Sequence, residues 1–412
     1  MDVAPKIRPG IEALPATQEG RELLVLHDRT GISPDLVVDR RAAPFLVLLD
    51  GGHDLRDIQV ALMRQGGLGL VPLEEIQRFV RQLDEHFLLA NDRYREHWRE
   101  LSQSYREERV RAASHAGHAY PSEPEAVRGQ LEGYFTSPDG PGLTVNPACD
   151  VPPVGLILPH IDFQRGGTCY AWGYAPLRGV DAVDLFVILG TCHLPMEQPF
   201  ALTTKTFRTP LGSTPSAAEL AEAIAARAGL DLFHDEMSHR AEHTIEFQLL
   251  LLQFLFGQER EFEILPVLCG GFHEMIAGRM LPSGHEPYAR GLEALSEVLS
   301  EARLKTCVIA SADLAHLGPQ FGDPYPVQLS DLARIQREDL AMLEPVMKGN
   351  SDGFYRAILA EGDRRRICGL PPIYTWLRLI APGEIRLLKY DQAYNPQATV
   401  TFASIGVWEK PA

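Results

Sequence analysis

Short, almost continuous apolar runs recur between Val154 and Gln392 and alternate with stretches of helical character. The runs are VGLILPH, VDLFVILGTCH, FEILPVLCGGFH, TCVIASADLAH and IRLLKYDQ, and each ends in or leads into polar or glycine residues. Helical stretches such as SAAELAEAIAARAG and EHTIEFQLLLLQFLFG lie between them. Apolar strands that alternate with helices are typical of a parallel sheet covered on both faces. We therefore predict an α/β fold with a mainly parallel central sheet flanked by helices.

Composition and charge indicate a folded protein and argue against nucleic-acid binding. The chain has 412 residues, enough for roughly two to three domains, and its hydrophobic content of 45% is ordinary for a globular protein. The formal net charge of −16 disfavours contact with a phosphate backbone, which requires a basic protein face. We therefore expect no nucleic acid among the partners.

Targeting signals and paired cysteines are not apparent in the sequence. The N-terminus MDVAPKIRPGIEALP lacks the basic-then-apolar order of a signal peptide, and no apolar run approaches the roughly 18 residues of a membrane span. The sequence contains no CxxC pair, so it indicates neither a zinc knuckle nor a disulfide framework. The six cysteines are Cys149, Cys169, Cys192, Cys269, Cys307 and Cys368. We expect reduced thiols, a cytoplasmic location and no membrane association.

Residues 22–94 follow a different pattern and are predicted to form a small separate unit. The segment ELLVLHDRTG alternates as a strand does, and the apolar run from Pro44 to Gly52 is typical of a helix ended by glycines. Two helical stripes follow, one around Ile58 and one around Phe79. The pattern resembles winged-helix, PqqD-like modules, which dock peptides or partner proteins. A helical cap that binds nothing is the alternative.

These patterns divide the chain into three parts. Residues 1–95 are assigned to a winged-helix or PqqD-like helical module. The highly charged stretch DRYREHWRELSQSYREERV follows, and we interpret residues 96–110 as a helical connector. Residues 111–412 are then assigned to the α/β domain.

Histidines stand at the ends of three of the predicted strands. They are His160 in LILPH, His193 in VILGTCH and His316 in VIASADLAH. In open parallel α/β sheets, ligands bind beyond the carboxyl ends of the strands, so these three side chains could converge. A fourth, His243, begins a predicted helix between Glu242 and Glu246. Helical spacing puts these two glutamates on one face, and His239 with His243 on another.

A converging group of histidines is typical of a metal site. Imidazole suits iron, copper, zinc and nickel, and catalytic sites pair two or three histidines with a carboxylate and leave one position open. Asp162 lies two residues beyond His160, and therefore on the same side if the strand continues. A single histidine in such a context would more commonly be a surface residue or a hydrogen-bonded core residue than a metal ligand. Four in matching contexts favour a shared site.

Six segments occur in the order and approximate spacing of the Memo family, from Arg111 to the C-terminus. Five are LILPHIDFQRGG, VILGTCHLP, HRAEHTIEFQLLLLQF, SADLAHLGPQFGD and ICGLPPI, and RAASHAGHAYPSEPEAVRGQL resembles the family's N-terminal entry. The resemblance implies the fold of the class III extradiol dioxygenase superfamily. It also implies that His160 and His193 correspond to paired metal ligands, with His243 and the SADLAH segment completing the pocket. Bacterial members are associated with AmmeMemoRadiSam systems, so a radical-SAM protein and its companion are the implied partners.

The sequence departs from the family pattern in three places that bear on the metal. Some members carry a metal-binding cysteine just before the final histidine, where this chain has Ala315. The usual P-H-A-G-Y opening is replaced by Pro159 to Phe163, and Cys192 stands before the second histidine. We expect Cys192 to point away from the site, since it is the immediate neighbour of His193. Without a thiolate, imidazole and carboxylate favour iron(II) or zinc over copper(I).

The favoured function is non-haem iron, dioxygenase-like redox chemistry on a small aromatic or redox-active substrate. The cofactor would be a divalent metal, Fe(II) in the first place, with zinc or copper as alternatives. His160, His193 and either His243 or Asp162 would hold it.

The remaining polar residues of these segments receive supporting roles. His316, or else His243, would act as the acid/base that moves a substrate proton. Glu242 and Asp313 would orient imidazoles. Cys368, with no base visible beside it in the sequence, is not interpreted as a nucleophile, and Gly166-Gly167 are interpreted as a turn before a helix. The alternative function is a non-catalytic accessory protein of a radical-SAM system that uses the pocket to bind a peptide, a metal or a partner without turnover.

Overall fold

The structure of the chain is a computed structural model, and it describes residues 4–28, 30–65, 71–143, 151–179, 183–257 and 260–409. Contacts within the chain divide it into two compact units, Met1–Glu107 and Glu108–Ala412. Within the described residues, no helix is both long enough and apolar enough to cross a bilayer. Cys149 lies outside the described residues, and the other five cysteines are free thiols.

Among its described residues, the first unit combines a small antiparallel sheet with four α-helices. Its strands are β1 (Ile11–Gln18), β2 (Arg21–Asp28) and β3 (Leu36–Asp39), in the order β1-β2-β3. Its helices are α1 (Ala43–Val47), α2 (Leu55–Gln65), α3 (Leu73–Glu85) and α4 (Asp92–Glu107). Its core is drawn from this unit alone and includes Leu26, Ile58 and Leu83. The predicted connector therefore corresponds largely to α4, which begins at Asp92 and belongs to this unit.

Two details of the first unit differ from the sequence prediction. The strand β1 was not predicted because it is mostly exposed and carries Pro15, which is compatible only with an edge strand. The predicted helix from Pro44 to Gly52 ends early, at Val47. The reason is that the following backbone turns to form a bridge between Asp50 and Lys6.

The second unit contains the large sheet and nine further helices within the described residues. Its strands are β4 (Val110–Ala112), β5 (Gly155–Leu158), β6 (Leu185–Thr191), β7 (Phe200–Leu202), β8 (Thr206–Thr209), β9 (Gly212–Thr214), β10 (Glu263–Cys269), β11 (Thr306–Ser311), β12 (Asp313–Leu317), β13 (Gly383–Ala393) and β14 (Thr399–Glu409). Its helices are α5 (Pro124–Thr136), α6 (Phe163–Tyr174), α7 (Ala218–Ala228), α8 (His243–Phe256), α9 (His273–Ala277), α10 (Glu286–Ala302), α11 (Leu332–Met347), α12 (Ser351–Ala360) and α13 (Leu370–Leu379).

The centre of the large sheet is parallel, and its edges are antiparallel. The strand order is β12-β14-β5-β11-β6-β10-β7, with β13 paired to β14, while β4, β8 and β9 form a separate small sheet. Pairs among β5, β11, β6 and β10 are parallel, whereas β14 runs antiparallel to β5 and β7 antiparallel to β10. The predicted α/β fold with a mainly parallel central sheet is confirmed.

One predicted strand is divided in two by the structure. The run TCVIASADLAH contains both β11, which ends at Ser311, and β12, which begins at Asp313. The second piece leaves the parallel core and pairs antiparallel with β14, with a register irregularity between Asp313 and His316. His316 therefore does not stand at the carboxyl end of a parallel strand, as the sequence pattern suggested.

The two faces of the sheet contribute to two separate cores. Along β6, Val187 and Leu189 belong to the core that also contains residues of α7, α10 and α13. Their neighbours Phe186 and Ile188 belong to the other core, with residues of α5, α6 and α8. The strand is thus apolar on both faces, and each fully buried side chain contributes roughly 1.5–3 kcal/mol.

The helix α6 lies close to its neighbours because it carries glycines. Gly166 and Gly167 are inside α6, so the predicted turn at these positions is wrong. A Cβ atom at Gly167 would lie 2.5 Å from the ring of Tyr134 on α5. Close packing of two helices, rather than chain reversal, is what requires glycine here.

Candidate metal centre

Three histidines from separate elements converge at the carboxyl edge of the parallel sheet. His160 follows β5, His193 follows β6, and His243 is the first residue of α8. Each offers one ligand atom, and these three atoms all lie within 4.8 Å of one another. Ring centroids are 5.1 Å apart for His160 and His193, and 5.0 Å apart for His193 and His243. Metal–nitrogen bonds are about 2.0–2.1 Å long, so this spacing allows one ion to contact all three.

The imidazole of His160 is buried and held in one orientation. Its Nδ1 lies 3.1 Å from the carbonyl oxygen of Ser311, which can only accept, so Nδ1 carries the proton and Nε2 can offer a lone pair. Burial, together with His193 and His243, lowers the pKa of His160 well below its usual range. The ring is therefore neutral at physiological pH, as metal binding requires.

Glu242 connects the other two histidines. Its carboxylate accepts hydrogen bonds from the backbone N–H of His193 at 3.0 Å and from Nδ1 of the same residue at 3.1 Å. The Nδ1 atom of His243 lies 3.1 Å from the other oxygen. Burial alone would raise the pKa of Glu242, but the two histidines hold it well below its usual range. A buried carboxylate that accepts from a ligand's second ring nitrogen fixes the tautomer of that ligand.

The same carboxylate also determines where α8 begins. Glu242 is the N-cap residue and accepts from the backbone N–H groups of His243 and Thr244, at 2.9 and 3.1 Å. The negative charge lies at the positive end of the helix dipole. Helical geometry therefore starts at His243, and the expected helical pairing of His239 with His243 is wrong. His239 is instead buried in the preceding 3-10 turn, with Nε2 bonded to the Ala201 carbonyl oxygen.

Glu246 belongs to the structural support of α8 rather than to the histidine cluster. Its buried carboxylate accepts hydrogen bonds from Arg111, the backbone N–H of Ser114 and the Tyr120 hydroxyl. Burial raises its pKa, but Arg111 and His115 outweigh that effect and hold the pKa at about 2. Arg111 also donates to the carbonyl oxygen of Glu242, at 2.8 Å. This network fixes the first turn of α8, and with it His243.

Asp162 has a different role from the one that the sequence suggested. The strand β5 ends at Leu158, so strand alternation does not extend from His160 to Asp162. The Asp162 carboxylate caps α6 instead, accepting from the backbone N–H of Arg165 at 3.1 Å and pairing with its guanidinium at 2.6 Å. The structure therefore supports the three-histidine version of the ligand set over the one with Asp162.

Asp313 supports the backbone of His160. Its Oδ1 atom accepts from the His160 backbone N–H at 2.9 Å, and its Oδ2 atom lies 3.6 Å from His160 Nε2. Burial raises the pKa of Asp313. Asp313 therefore holds the main chain of His160 through one oxygen and lies beside its ring with the other.

His316 lies near the three-histidine group but is not part of it. Its Nδ1 atom lies 3.2 Å from the Leu314 carbonyl oxygen, and its ring meets Phe321 edge-on at a centroid distance of 5.0 Å. Burial lowers the pKa of His316, and both Asp313 and His193 also influence it. The residue therefore lies within electrostatic reach of the cluster as a neutral imidazole.

Comparison with known proteins identifies the family. A family model described as "Memo-like protein" matches residues 111–405. The chain belongs to the Memo family. It is 28% identical to a MEMO1 family protein of Aquifex aeolicus over 89% of this chain and 90% of the relative. It is 27% identical to a MEMO1 family protein of Thermus thermophilus over 82% of this chain and 94% of the relative. It is 29% identical to a MEMO1 family protein of Methanopyrus kandleri over 68% of this chain and 91% of the relative.

The extent of these alignments distinguishes the two units of this Memo chain. The second unit makes up less than three quarters of the residues. The alignments with the Aquifex and Thermus proteins cover more residues than the second unit contains, so they extend into the first unit. The Methanopyrus alignment has a length that the second unit alone could supply.

Sequence reasoning did not connect Cys368 with the histidines. Its Sγ atom lies 3.3 Å from Nε2 of His160, so the expectation that no base stands beside this thiol is wrong. Burial raises the pKa of Cys368 well above its usual range. The thiol is thus protonated and can donate to His160. No local pattern relates two residues that are 208 positions apart.

An open cleft of about 510 Å³ adjoins the cluster. Its wall contains His193 and Cys368, together with Phe272, Ile276 and Arg366. Cys192 also lies on the wall, with its thiol bonded to the Leu194 carbonyl oxygen at 3.4 Å. A mostly apolar cleft with a few convergent polar groups is the usual form of a small-molecule site.

The donor set fits a divalent metal. The site combines three imidazoles, at least two of which have a fixed tautomer, with a buried carboxylate and an adjoining cleft. A metal site with an open coordination position requires this combination. The histidine cluster could therefore hold a divalent ion.

Proposed function

We propose that this Memo protein is a metal-dependent oxidoreductase that uses Fe(II) in dioxygenase-like chemistry on a small aromatic or redox-active molecule. The observation that carries the proposal is the group of three histidines with donor atoms within 4.8 Å of one another, beside an open cleft. His160, His193 and His243 would hold the ion, and the adjoining cleft would leave room for exogenous ligands. Iron bound there would supply the redox chemistry.

The protein residues have separate tasks in this proposal. Glu242 keeps the proton of His193 on Nδ1, so that Nε2 faces the metal position. The apolar side chains of Phe272 and Ile276 receive a flat ring and exclude water from one wall of the cleft. His316 acts as the acid/base, since its neutral ring can accept a proton from a substrate hydroxyl.

Metal content and turnover of matched variants test this proposal. We expect anaerobically purified protein to contain iron, and expect His160→Ala and His193→Ala each to abolish its binding. His316→Ala should retain iron and lose oxygen uptake in a screen of catechols. His234→Ala is the matched control, because that histidine is exposed and pairs with Glu197 outside the cluster. Retained iron in both His160→Ala and His193→Ala would falsify the proposed metal site.

The first unit favours a second candidate, an accessory role in a radical-SAM system. It has its own core and an edge strand, β1, and two of the relatives share at least part of it. Edge strands are suited to peptide docking by strand addition. In this role the protein binds metal and peptide, or a radical-SAM protein and its companion, without turnover. Iron binding without oxygen uptake on any catechol, together with a stoichiometric complex with purified radical-SAM protein, would favour this candidate over the enzyme.

A further inference from the structure

The loop between α12 and α13 forms part of the cleft wall and has an unusual backbone. Gly362, Asp363 and Arg366 have positive φ angles of 62°, 51° and 54°. Residues other than glycine seldom adopt this conformation, and those that do cluster at ligand sites. All three residues line the cleft. The strained backbone therefore places two charged residues, Asp363 and Arg366, on the same wall.

Three arginines follow Asp363 directly in the sequence, and each is paired with another acid. Their partners include Glu338 for Arg364, Asp339 for Arg365 and Asp323 for Arg366. Of the three arginines, Arg366 lines the cleft, and it also donates to the His316 carbonyl oxygen at 3.1 Å. Its guanidinium therefore already has two acceptors, and the wall offers little positive charge to an incoming anion.

Asp363 has no cation of its own among the residues that the structure describes. One hydrogen bond reaches its half-buried carboxylate there, from the backbone N–H of Ile367 to Oδ1 at 2.8 Å. Burial raises the pKa of Asp363, and neither that N–H group nor the nearby His273, which also lines the cleft, fully offsets the effect. A carboxylate that is partly withdrawn from water is stabilised by a cationic partner. The charge that this wall lacks is therefore positive.

We propose that the cleft binds a substrate that carries a cationic amine beside an aromatic or otherwise apolar body, and that Asp363 binds the amine. The inference rests on the proposed function, because it names the substrate class of the same site. Phe272 and Ile276 supply apolar surface for the body, and Asp363 accepts a charge-assisted hydrogen bond from the amine. The volume of about 510 Å³ lies within the range of sites that enclose small molecules.

Three probes that share a phenyl ring and a short arm test this preference for charge. They are phenethylamine, phenethyl alcohol and phenylpropionate, which are a cation, a neutral molecule and an anion at neutral pH. Each is titrated by calorimetry into full-length protein that a chelator keeps free of metal. We expect the amine to bind at least about tenfold more tightly than the alcohol, because charge-assisted hydrogen bonds are about twice as strong as neutral ones. Phenylpropionate should bind most weakly.

Variants of Asp363 assign the preference to its carboxylate. Asp363→Asn should lower the affinity for phenethylamine to that for the alcohol and leave the affinity for the alcohol unchanged. Asparagine tolerates the positive φ angle of this position, and Asp363→Gly, which tolerates it fully, is the second variant if the first does not fold. Asp231→Asn is the matched control, because it removes the same charge from an exposed carboxylate that does not line the cleft, and it should keep the preference.

The outcomes separate this inference from the proposed function. None of the probes is a catechol and no metal is present, so the result does not depend on whether the histidines hold iron. Equal affinities for the amine and the alcohol in the wild-type protein, tighter binding of phenylpropionate or no binding of any probe would each overturn the inference. An amine preference that survives in the Asp363 variants, or that is also lost in Asp231→Asn, would overturn it as well. The proposed function is decided separately, by iron content and oxygen uptake.

Discussion

Glu242 is the residue on which the contacts of the metal centre converge. It bonds to His193, lies against His243 and caps α8. We predict that Glu242→Gln weakens metal affinity about 10–100-fold, because the amide keeps the size but loses the charge that supports two imidazoles. Competition with a chromophoric chelator measures the change.

The control for this prediction is Glu236→Gln. That glutamate is also buried but bonds to Thr203 and lies 3.5 Å from Lys205, away from the cluster histidines. An equal loss of metal affinity in both variants would show that the effect is general destabilisation rather than loss of support for the ligands.

The buried pair of Arg111 and Glu246 predicts a specific dependence of stability on pH. The pKa of Glu246 is held at about 2, below its unfolded value of about 4.3, so the pair stabilises the fold above that value and loses its effect as pH falls towards 2. In Arg111→Met the carboxylate is buried without its cation. We expect a loss of roughly 3–5 kcal/mol at neutral pH that shrinks in acid, where Glu246 takes up a proton.

Urea unfolding at pH 7.5 and at pH 5 or below measures this effect. Arg227→Met is the control, because Arg227 forms exposed ion pairs with Glu297 and Glu301, which solvent screens and which should contribute little to stability at either pH. A destabilisation of Arg111→Met that is the same at both pH values would contradict the assigned role of Glu246.

For individual residues, local sequence patterns could predict which histidines belong to the site but not which distant residues contact them. His160 and His193 were recognisable because each follows an apolar strand, and His243 because it begins a helix beside two acids. The contact of Cys368 with His160 depends on a loop that returns from far along the chain. Nothing in the spacing of either segment indicates it.

Among the elements, α6 offers a test of the two roles considered for Asp162. Asparagine is as good an N-cap as aspartate but a much poorer metal ligand. We predict that Asp162→Asn leaves both metal affinity and stability nearly unchanged, whereas Asp162→Ala lowers stability by about 0.5–2 kcal/mol with metal affinity retained. Chelator competition and thermal unfolding measure the two quantities. A large loss of metal in Asp162→Asn would restore this residue as a ligand.

The parallel strands were predictable because their residues are apolar on both faces, as in β6. The antiparallel edges were not, because the direction of a strand depends on its connection and not on its composition. The run that contains β11 and β12 illustrates this, since it reads as one apolar segment but bends at Ala312. His316 was consequently assigned to the wrong kind of strand.

For the whole molecule, the separation of the cores predicts the result of truncation. The core of the first unit and the two larger cores of the second share no residue. We predict that a chain beginning at Glu108 folds cooperatively, binds metal with unchanged affinity and loses any association with a radical-SAM partner. Circular dichroism, chelator competition and gel filtration with the partner measure these properties. Aggregation or loss of metal would show that the first unit is a structural cap.

The position of β14 between β5 and β12 has a consequence for when the protein can acquire its metal in the cell. β14 follows β12 by more than eighty residues and β5 by more than two hundred. Until it is synthesised, the strand that leads to His160 has an open edge, and Asp313 sits on a strand without its partner. Pairing of such distant segments is slow and comes late in folding. Metal insertion is therefore expected to follow translation, and a loaded site would mark a chain whose sheet is complete.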